Sequence, residues 1–155
     1  MERKNFKHSM QLRVRSYEVD WQGVVHNSNY VRYFEAARIE YLRAIGWPVD
    51  RQSIVGESKV VLVRHEIDYR SAASFDDVLT VYTRTSTLGR TSFAMEGIIE
   101  DAASGRRVAQ TISVHVWLDP GSDRPQPVPE VFRQKVQAFE GDAVTVRSLD
   151  APDGA

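Results

Sequence analysis

Hydrophobic and polar positions along this chain fall into two rhythms. Tyr30, Phe34, Ala37, Tyr41 and Ile45 recur at steps of three and four, which draws one apolar stripe down a helix. The spacing predicts a helix over about 28–45, with Asn27 or Ser28 as its N-cap, because a short side-chain oxygen accepts a bond from the first free amides. Gly46 ends it in a left-handed conformation, and Pro48 prevents continuation. At 1.5 Å per residue such a helix runs roughly 27 Å, enough to cross a small sheet.

From residue 58 the period changes to two. Val61, Val63, His65, Ile67 and Tyr69 share one strand face, and Arg64, Glu66 and Asp68 take the other. Residues 78–86 and 91–100 alternate again, and Val108, Gln110, Ile112, Val114, Val116 and Leu118 mark a fourth run. Reversals fall at 71–77, at Leu88-Gly89-Arg90 and at 101–106. Four long strands joined by short reversals predict an antiparallel meander. Ahead of the helix, residues 11–17 alternate Leu12, Val14 and Ser16 against Arg13, Arg15 and Tyr17, and read as a first strand.

The remaining stretches carry weaker patterns. Residues 1–9 are polar and read as a flexible N-terminus, and 48–57 as a connection loosened by Gly56. Residues 119–129 hold four of the six prolines and form a loop. Residues 130–139 fit a short amphipathic helix with Val131, Phe132, Val136 and Phe139 on its apolar side. Residues 141–155 have little to bury and read as a disordered tail. The order of strand, long helix and four strands predicts one α+β domain over 10–140, a five-stranded antiparallel sheet wrapped around a single central helix.

Composition narrows the function more than the fold. A chain of 155 residues favours one domain with a proper core. A net charge of −1 gives no reason to expect nucleic acid or an anionic membrane as partner. The absence of cysteine removes disulfides, thiolate catalysis and thiolate metal sites together. No apolar run follows the basic N-terminus, and none approaches bilayer length, so the simplest placement is the cytoplasm. His8, His65 and His115 are dispersed, without paired-ligand spacing, so no metal site is expected. GxSxG is absent, which excludes a serine-hydrolase elbow. What remains is an acidic turn, Asp20 followed by Gly23, Val24 and Val25, feeding the amide-rich start of a buried helix.

The run DWQGVVHNSNYVRYFEAARIEYL resembles the signature of the 4-hydroxybenzoyl-CoA thioesterase-like family of hotdog-fold acyl-CoA thioesterases. In that signature an Asp is followed by a Gly, two apolar residues, an Asn and an aromatic; here these are Asp20, Gly23, Val24, Val25, Asn29 and Tyr30. The segments YRSAASFDDVLTV, GRTSFAMEGIIEDAASG and VHVWLDPGSDRPQPVPE are also similar to the family, so the resemblance covers about 11–139. The chain departs from the commoner pattern, in which an aromatic and then a His stand where this chain has His26 and Asn27.

The resemblance implies a hotdog fold and hydrolysis of an acyl-CoA, with coenzyme A entering as part of the substrate and no separate cofactor. Asp20 is then the essential residue, attacking the thioester carbonyl or deprotonating a water; the sequence leaves both open. The Asn27 amide, helped by Gly23 or Val24, would stabilise the oxyanion, with Gly23 allowing close backbone approach. His26 is either a loop histidine or a substrate contact, and Tyr30 lies against the substrate. The turn Gly89-Arg90-Thr91-Ser92 is the candidate for coenzyme A, with Arg90 on phosphate or simply solvated, and Arg64, Arg70 and Arg124 as possible helpers. Glu35, further along the helix, is expected to pair with Arg32 or Arg38. The resemblance also implies a homo-oligomer, a dimer or a dimer of dimers (a homotetramer). Alternative functions are an acyl-carrier-protein thioesterase and a non-catalytic acyl-binding protein.

Overall fold

The long helix, α1, spans Asn27–Ala44, one residue earlier at each end than its stripe predicts. The computed structural model describes residues 1–55 and 59–147. All five stripe residues are buried. The cap differs from expectation. Neither Asn27 nor Ser28 precedes the helix; His26 does, and its Nδ1 accepts the Ser28 N–H at 3.2 Å and lies 2.8 Å from Ser28 Oγ. A ring-nitrogen lone pair here replaces the expected side-chain oxygen. Gly46 closes the helix at φ 80°, its N–H donating to the Arg43 carbonyl at 3.0 Å.

The long strands are β1 (His8–Arg13), β2 (Lys59–Tyr69), β3 (Val78–Leu88), β4 (Ser92–Asp101) and β5 (Arg107–Leu118), in the order β1-β3-β4-β5-β2. The predicted meander therefore holds only for β3, β4 and β5; β2 lies beyond β5, not beside β3. Backbone pairing of residues 71–77 gives the reason. The Ala73 carbonyl accepts the Val25 N–H at 2.8 Å, the Val14 N–H goes to the Asp77 carbonyl at 2.9 Å, and the Asp76 N–H returns to the Val14 carbonyl at 3.1 Å. The segment is bound to the chain ahead of α1, so it does not fold β3 back on β2.

Other boundaries move as well. Residues 11–17 are not one strand: β1 starts earlier and stops at Arg13, and Ser16–Glu18 is a 3-10 turn. Met10 and Leu12 sit opposite Val81 and Leu79 of β3. The N-terminal segment contains a 3-10 turn, Arg3–Asn5, with the Arg3 guanidinium 4.7 Å above the Tyr82 ring. Within 48–57 a short helix, α2 (Arg51–Val55), forms behind reciprocal bonds: Asp50 Oδ1 accepts the Ser53 N–H at 2.7 Å, and Ser53 Oγ accepts the Asp50 N–H at 2.8 Å. Gly56 falls outside the described residues. The predicted tail opens with a 3-10 turn, Gly141–Ala143, and a two-residue strand, β6 (Thr145–Val146), pairs parallel with Thr87 and Leu88. Among the described residues the sheet thus has six strands where five were expected; 148–155 lie outside them.

The described chain forms two compact units. The first comprises Met1–Tyr41, Glu66–Arg84 and Gly97–Thr111. Its core joins Tyr30, Tyr33, Phe34 and Ala37 of α1 to Leu79, Val81, Ile99 and Val108 of the sheet. Gly97 marks the closest approach: a Cβ there would lie 2.8 Å from Phe34 Cδ1 and 2.9 Å from Thr111 Cγ2. The second unit comprises Leu42–His65, Thr85–Glu96 and the chain from Ile112 onward. It is built on an aromatic cluster, with Phe132 of α3 (Glu130–Glu140) 5.2 Å from both Trp47 and Trp117 and 5.0 Å from Phe93. The buried face of α3 is Phe132, Arg133, Val136 and Glu140, while Val131 is exposed. Two charged residues thus share the buried face, with Arg133 Nε and Nη2 donating to main-chain carbonyls and Glu140 Oε1 accepting the Thr85 N–H.

Candidate active site

Asp20 stands on a tight hairpin leading into α1. Val19 and Val25 form a bridge, the Asp20 N–H donates to the Val24 carbonyl at 2.8 Å, and the Gly23 N–H donates to the Asp20 carbonyl at 3.0 Å. Asp20 Oδ1 accepts the Gln22 N–H at 2.8 Å, an Asx-turn. Among the described residues Oδ2 takes no hydrogen bond. The turn role and a chemical role are therefore compatible, one oxygen for each. Gly23 is fixed by its φ of 76°; a Cβ would meet nothing within 4 Å, so backbone conformation is what requires glycine here.

The hairpin is clamped to the helix start through one carbonyl. Glu18 O accepts both the His26 N–H at 2.9 Å and Asn29 Nδ2 at 2.7 Å. Asn29 is buried, and so is Glu18, whose Oε1 caps the Arg15 N–H at 2.8 Å. Asn27, first residue of α1, has a backbone N–H with no partner inside the helix, at the positive end of the helix dipole. Its carbonyl accepts the Tyr69 hydroxyl at 3.4 Å.

His26 is exposed, but its Nδ1 is engaged by Ser28, so it acts as the cap of α1. Tyr30 is a core residue, 4% exposed, with its ring edge-on to Tyr69 at 5.4 Å; burial raises the pKa of its hydroxyl. The exposed aromatic beside the helix start is Tyr69. Periodicity puts Tyr69 on a strand face but carries no signal that β2 ends there. The Asn29–Glu18 clamp was equally hidden, since it joins residues from two different turns. Glu35 pairs with Arg38, Nε to Oε2 at 3.0 Å, one of the two partners expected.

Asp20, Gly23, Val24, His26, Asn27 and Tyr30 are thus gathered within the first unit. Arg90, Thr91 and Ser92 belong to the second. There the Gly89 N–H donates to the Ser92 carbonyl at 2.7 Å, closing the turn. Thr91 and Ser92 line a cavity of about 460 Å³, together with Phe93, Ile112 and the cations Arg64 and Arg147. Arg90 is exposed and does not line it. Apolar walls with cationic residues suit a ligand that is part hydrocarbon and part anion.

With that geometry in place, comparison with known proteins is decisive. A family model described as the thioesterase-like superfamily matches residues 14–136. The chain belongs to the thioesterase-like superfamily. Among relatives, it is 38% identical over 125 residues to a putative esterase of Aquifex aeolicus, covering 78% of this chain and 94% of that one. It is 28% identical over 120 residues to the acyl-CoA thioester hydrolase YbgC of Escherichia coli, covering 77% and 87%. A Thermus thermophilus thioesterase, solved with coenzyme A and Zn, superposes with a TM-score of 0.76 at 33% identity, covering 89% and 97%. The fold is the hotdog fold of these thioesterases, as the signature around Asp20 implied. Among the described residues of this superfamily member, no group of three or more His, Asp or Glu side chains gathers, and no helix is long and apolar enough to cross a membrane.

Proposed function

We propose that this protein is an acyl-CoA thioesterase, converting an acyl-CoA and water to a carboxylic acid and free coenzyme A. The observation that carries the reading is Asp20, on a hairpin bound through the Glu18 carbonyl to the amide-bearing start of α1. Asp20 Oδ2 attacks the thioester carbonyl, or takes a proton from the water that does; either way the carbonyl oxygen gains charge and the coenzyme A thiolate leaves. The Asn27 N–H faces that developing charge, strengthened by the helix dipole. The names of relatives in this superfamily support the same reaction class. The turn Gly89–Ser92 binds the coenzyme A end, with Arg90 on phosphate. A cytoplasmic homo-oligomer, a dimer or a dimer of dimers, completes the proposal; the terminal place of β2 in the strand order of the described residues supports it.

The test is thiol release from acetyl-, hexanoyl-, palmitoyl-, benzoyl-, 4-hydroxybenzoyl- and phenylacetyl-CoA, beside Asp20→Asn. The amide oxygen of Asn can still accept the Gln22 N–H, so the hairpin survives while charge and basicity are lost. Loss of a factor of about 100 or more is expected, the size of a missing nucleophile or general base. A variant as active as the wild type would reduce Asp20 to a turn residue. Turnover only of acyl-carrier-protein thioesters would move the substrate class, and binding without turnover of either would leave an acyl-binding protein.

A further inference from the structure

Arg133 is the most buried cation described in the chain, 5% exposed, on the inward face of α3. Among the described residues its guanidinium donates only to main-chain oxygens. Nη2 reaches the carbonyl of Gly89 and, at 3.1 Å, that of Arg90; Nε reaches the Val128 carbonyl at 3.3 Å. Two of the three acceptors lie in the turn assigned to coenzyme A. The Arg90 carbonyl is held a second time, by the Val128 N–H at 2.9 Å. A buried guanidinium is costly unless its donors are satisfied, so its place is fixed by that turn as much as the turn is fixed by it. The base of Arg133 is equally constrained: neighbouring Phe132 sits in the Trp47–Trp117–Phe93 cluster, and Glu140 Oε1 at the far end of α3 accepts the Thr85 N–H at 3.0 Å.

We infer that Arg133 is a positioning residue for coenzyme A recognition: it holds the Gly89–Arg90 carbonyls inward and so presents the Arg90 side chain and the Thr91–Ser92 wall to the ligand. This rests on the reading that the turn binds the phosphates of coenzyme A. Among the described residues each peptide is trans. Drawing the Gly89 and Arg90 carbonyls toward α3 therefore orients both peptide planes, and with them the Cα–Cβ direction of Arg90. Lysine retains the charge but offers a single point donor and cannot span three carbonyls as the planar fork does.

The experiment is calorimetric titration of free coenzyme A, and of pantetheine (which lacks the phosphates), into wild type, Arg90→Ala, Arg133→Lys and the double variant. Folding is checked by circular dichroism and thermal melting, and Arg133→Gln takes the place of the lysine variant should that one not fold. Both single variants are expected to weaken coenzyme A about tenfold, the size of one lost charge-assisted contact, with pantetheine unchanged. The double variant is expected to be little weaker than either single one, because both remove the same contact. Weakening of coenzyme A by Arg90→Ala but not by Arg133→Lys would overturn the positioning role alone. Equal weakening of pantetheine and coenzyme A by Arg133→Lys would overturn it in favour of general packing. No effect of Arg90→Ala would overturn the phosphate reading of the turn, and the positioning role with it. None of these outcomes depends on turnover, so a failed assignment of Asp20 is read separately.

Discussion

His8 illustrates how a single side chain couples burial to pH. Its ring packs edge-on to Tyr41 at 5.8 Å, and its buried Nδ1 has no hydrogen-bond partner among the described residues. Burial lowers its pKa below the usual 6.5, and the Glu40 carboxylate opposes this only in part. The neutral ring is thus favoured in the folded state. Between the folded pKa and 6.5 the unfolded chain binds more protons, so stability rises with pH there. This contribution is complete above 6.5 and is lost as pH falls through the folded value. Thermal melts from pH 7.5 to 5 should show the wild type losing melting temperature faster than His8→Phe below about 6.5; parallel curves would remove His8 from the account. At the candidate site, the turn was legible where its geometry asks for a particular residue type, as with Asp20 accepting the Gln22 N–H and Gly23 at positive φ. Residue identity was not legible where packing decides. Tyr30 carried the signature but belongs to the core, and Tyr69 occupies the surface beside the helix start because β2 ends there.

Elements were legible where periodicity is long and strong. The stripe of α1 predicted its buried face correctly, and each of the long alternating runs became a strand. Connectivity was not, because local pattern does not say whether residues 71–77 close a hairpin or pair with the hairpin that carries Asp20. The inward face of α3 departs from its apolar pattern for a related reason: a lone Arg between apolar positions carries no local signal that three carbonyls receive it. Gly97 offers a test of how closely elements are packed. Replacing a strand glycine by alanine ordinarily gains roughly 0.5–1 kcal/mol from reduced chain entropy. Here the added methyl would stand 2.8 Å from Phe34 and 2.9 Å from Thr111, and overpacking of that kind costs about 1–3 kcal/mol. The second effect wins, so Gly97→Ala should be destabilised in urea titration, and Phe34→Leu in the same chain should recover part of the loss. An alanine variant as stable as the wild type would mean that α1 can retreat from β4 at no cost.

At the scale of the whole molecule, the question is what covers β2. It ends the strand order, and among the described residues its outer edge meets no further strand. Leu62 and Val63 are successive residues, 51% and 57% exposed, so apolar side chains emerge on both faces of this edge. A long, flat, apolar edge is a template for pairing unless bulges, prolines or charges blunt it. Some blunting exists further along, where Arg64, Glu66 and Asp68 are exposed. A two-fold axis through His65 would set Arg64 of one copy opposite Glu66 of the other and draw the exposed valine and leucine into the contact. Pairing of this kind costs each protomer no rearrangement, because the strand is already extended. Sedimentation equilibrium should therefore give a mass that is a multiple of the 17.6 kDa protomer. Val63→Lys should shift it toward the protomer mass, because the lysine places a charge where two identical edges meet. The discriminating control is Val131→Lys, a similarly exposed valine on α3, which should leave the mass unchanged. A wild type that sediments at the protomer mass would mean that β2 tolerates its exposed edge alone, and that the reaction proposed for Asp20 must be completed within a single chain.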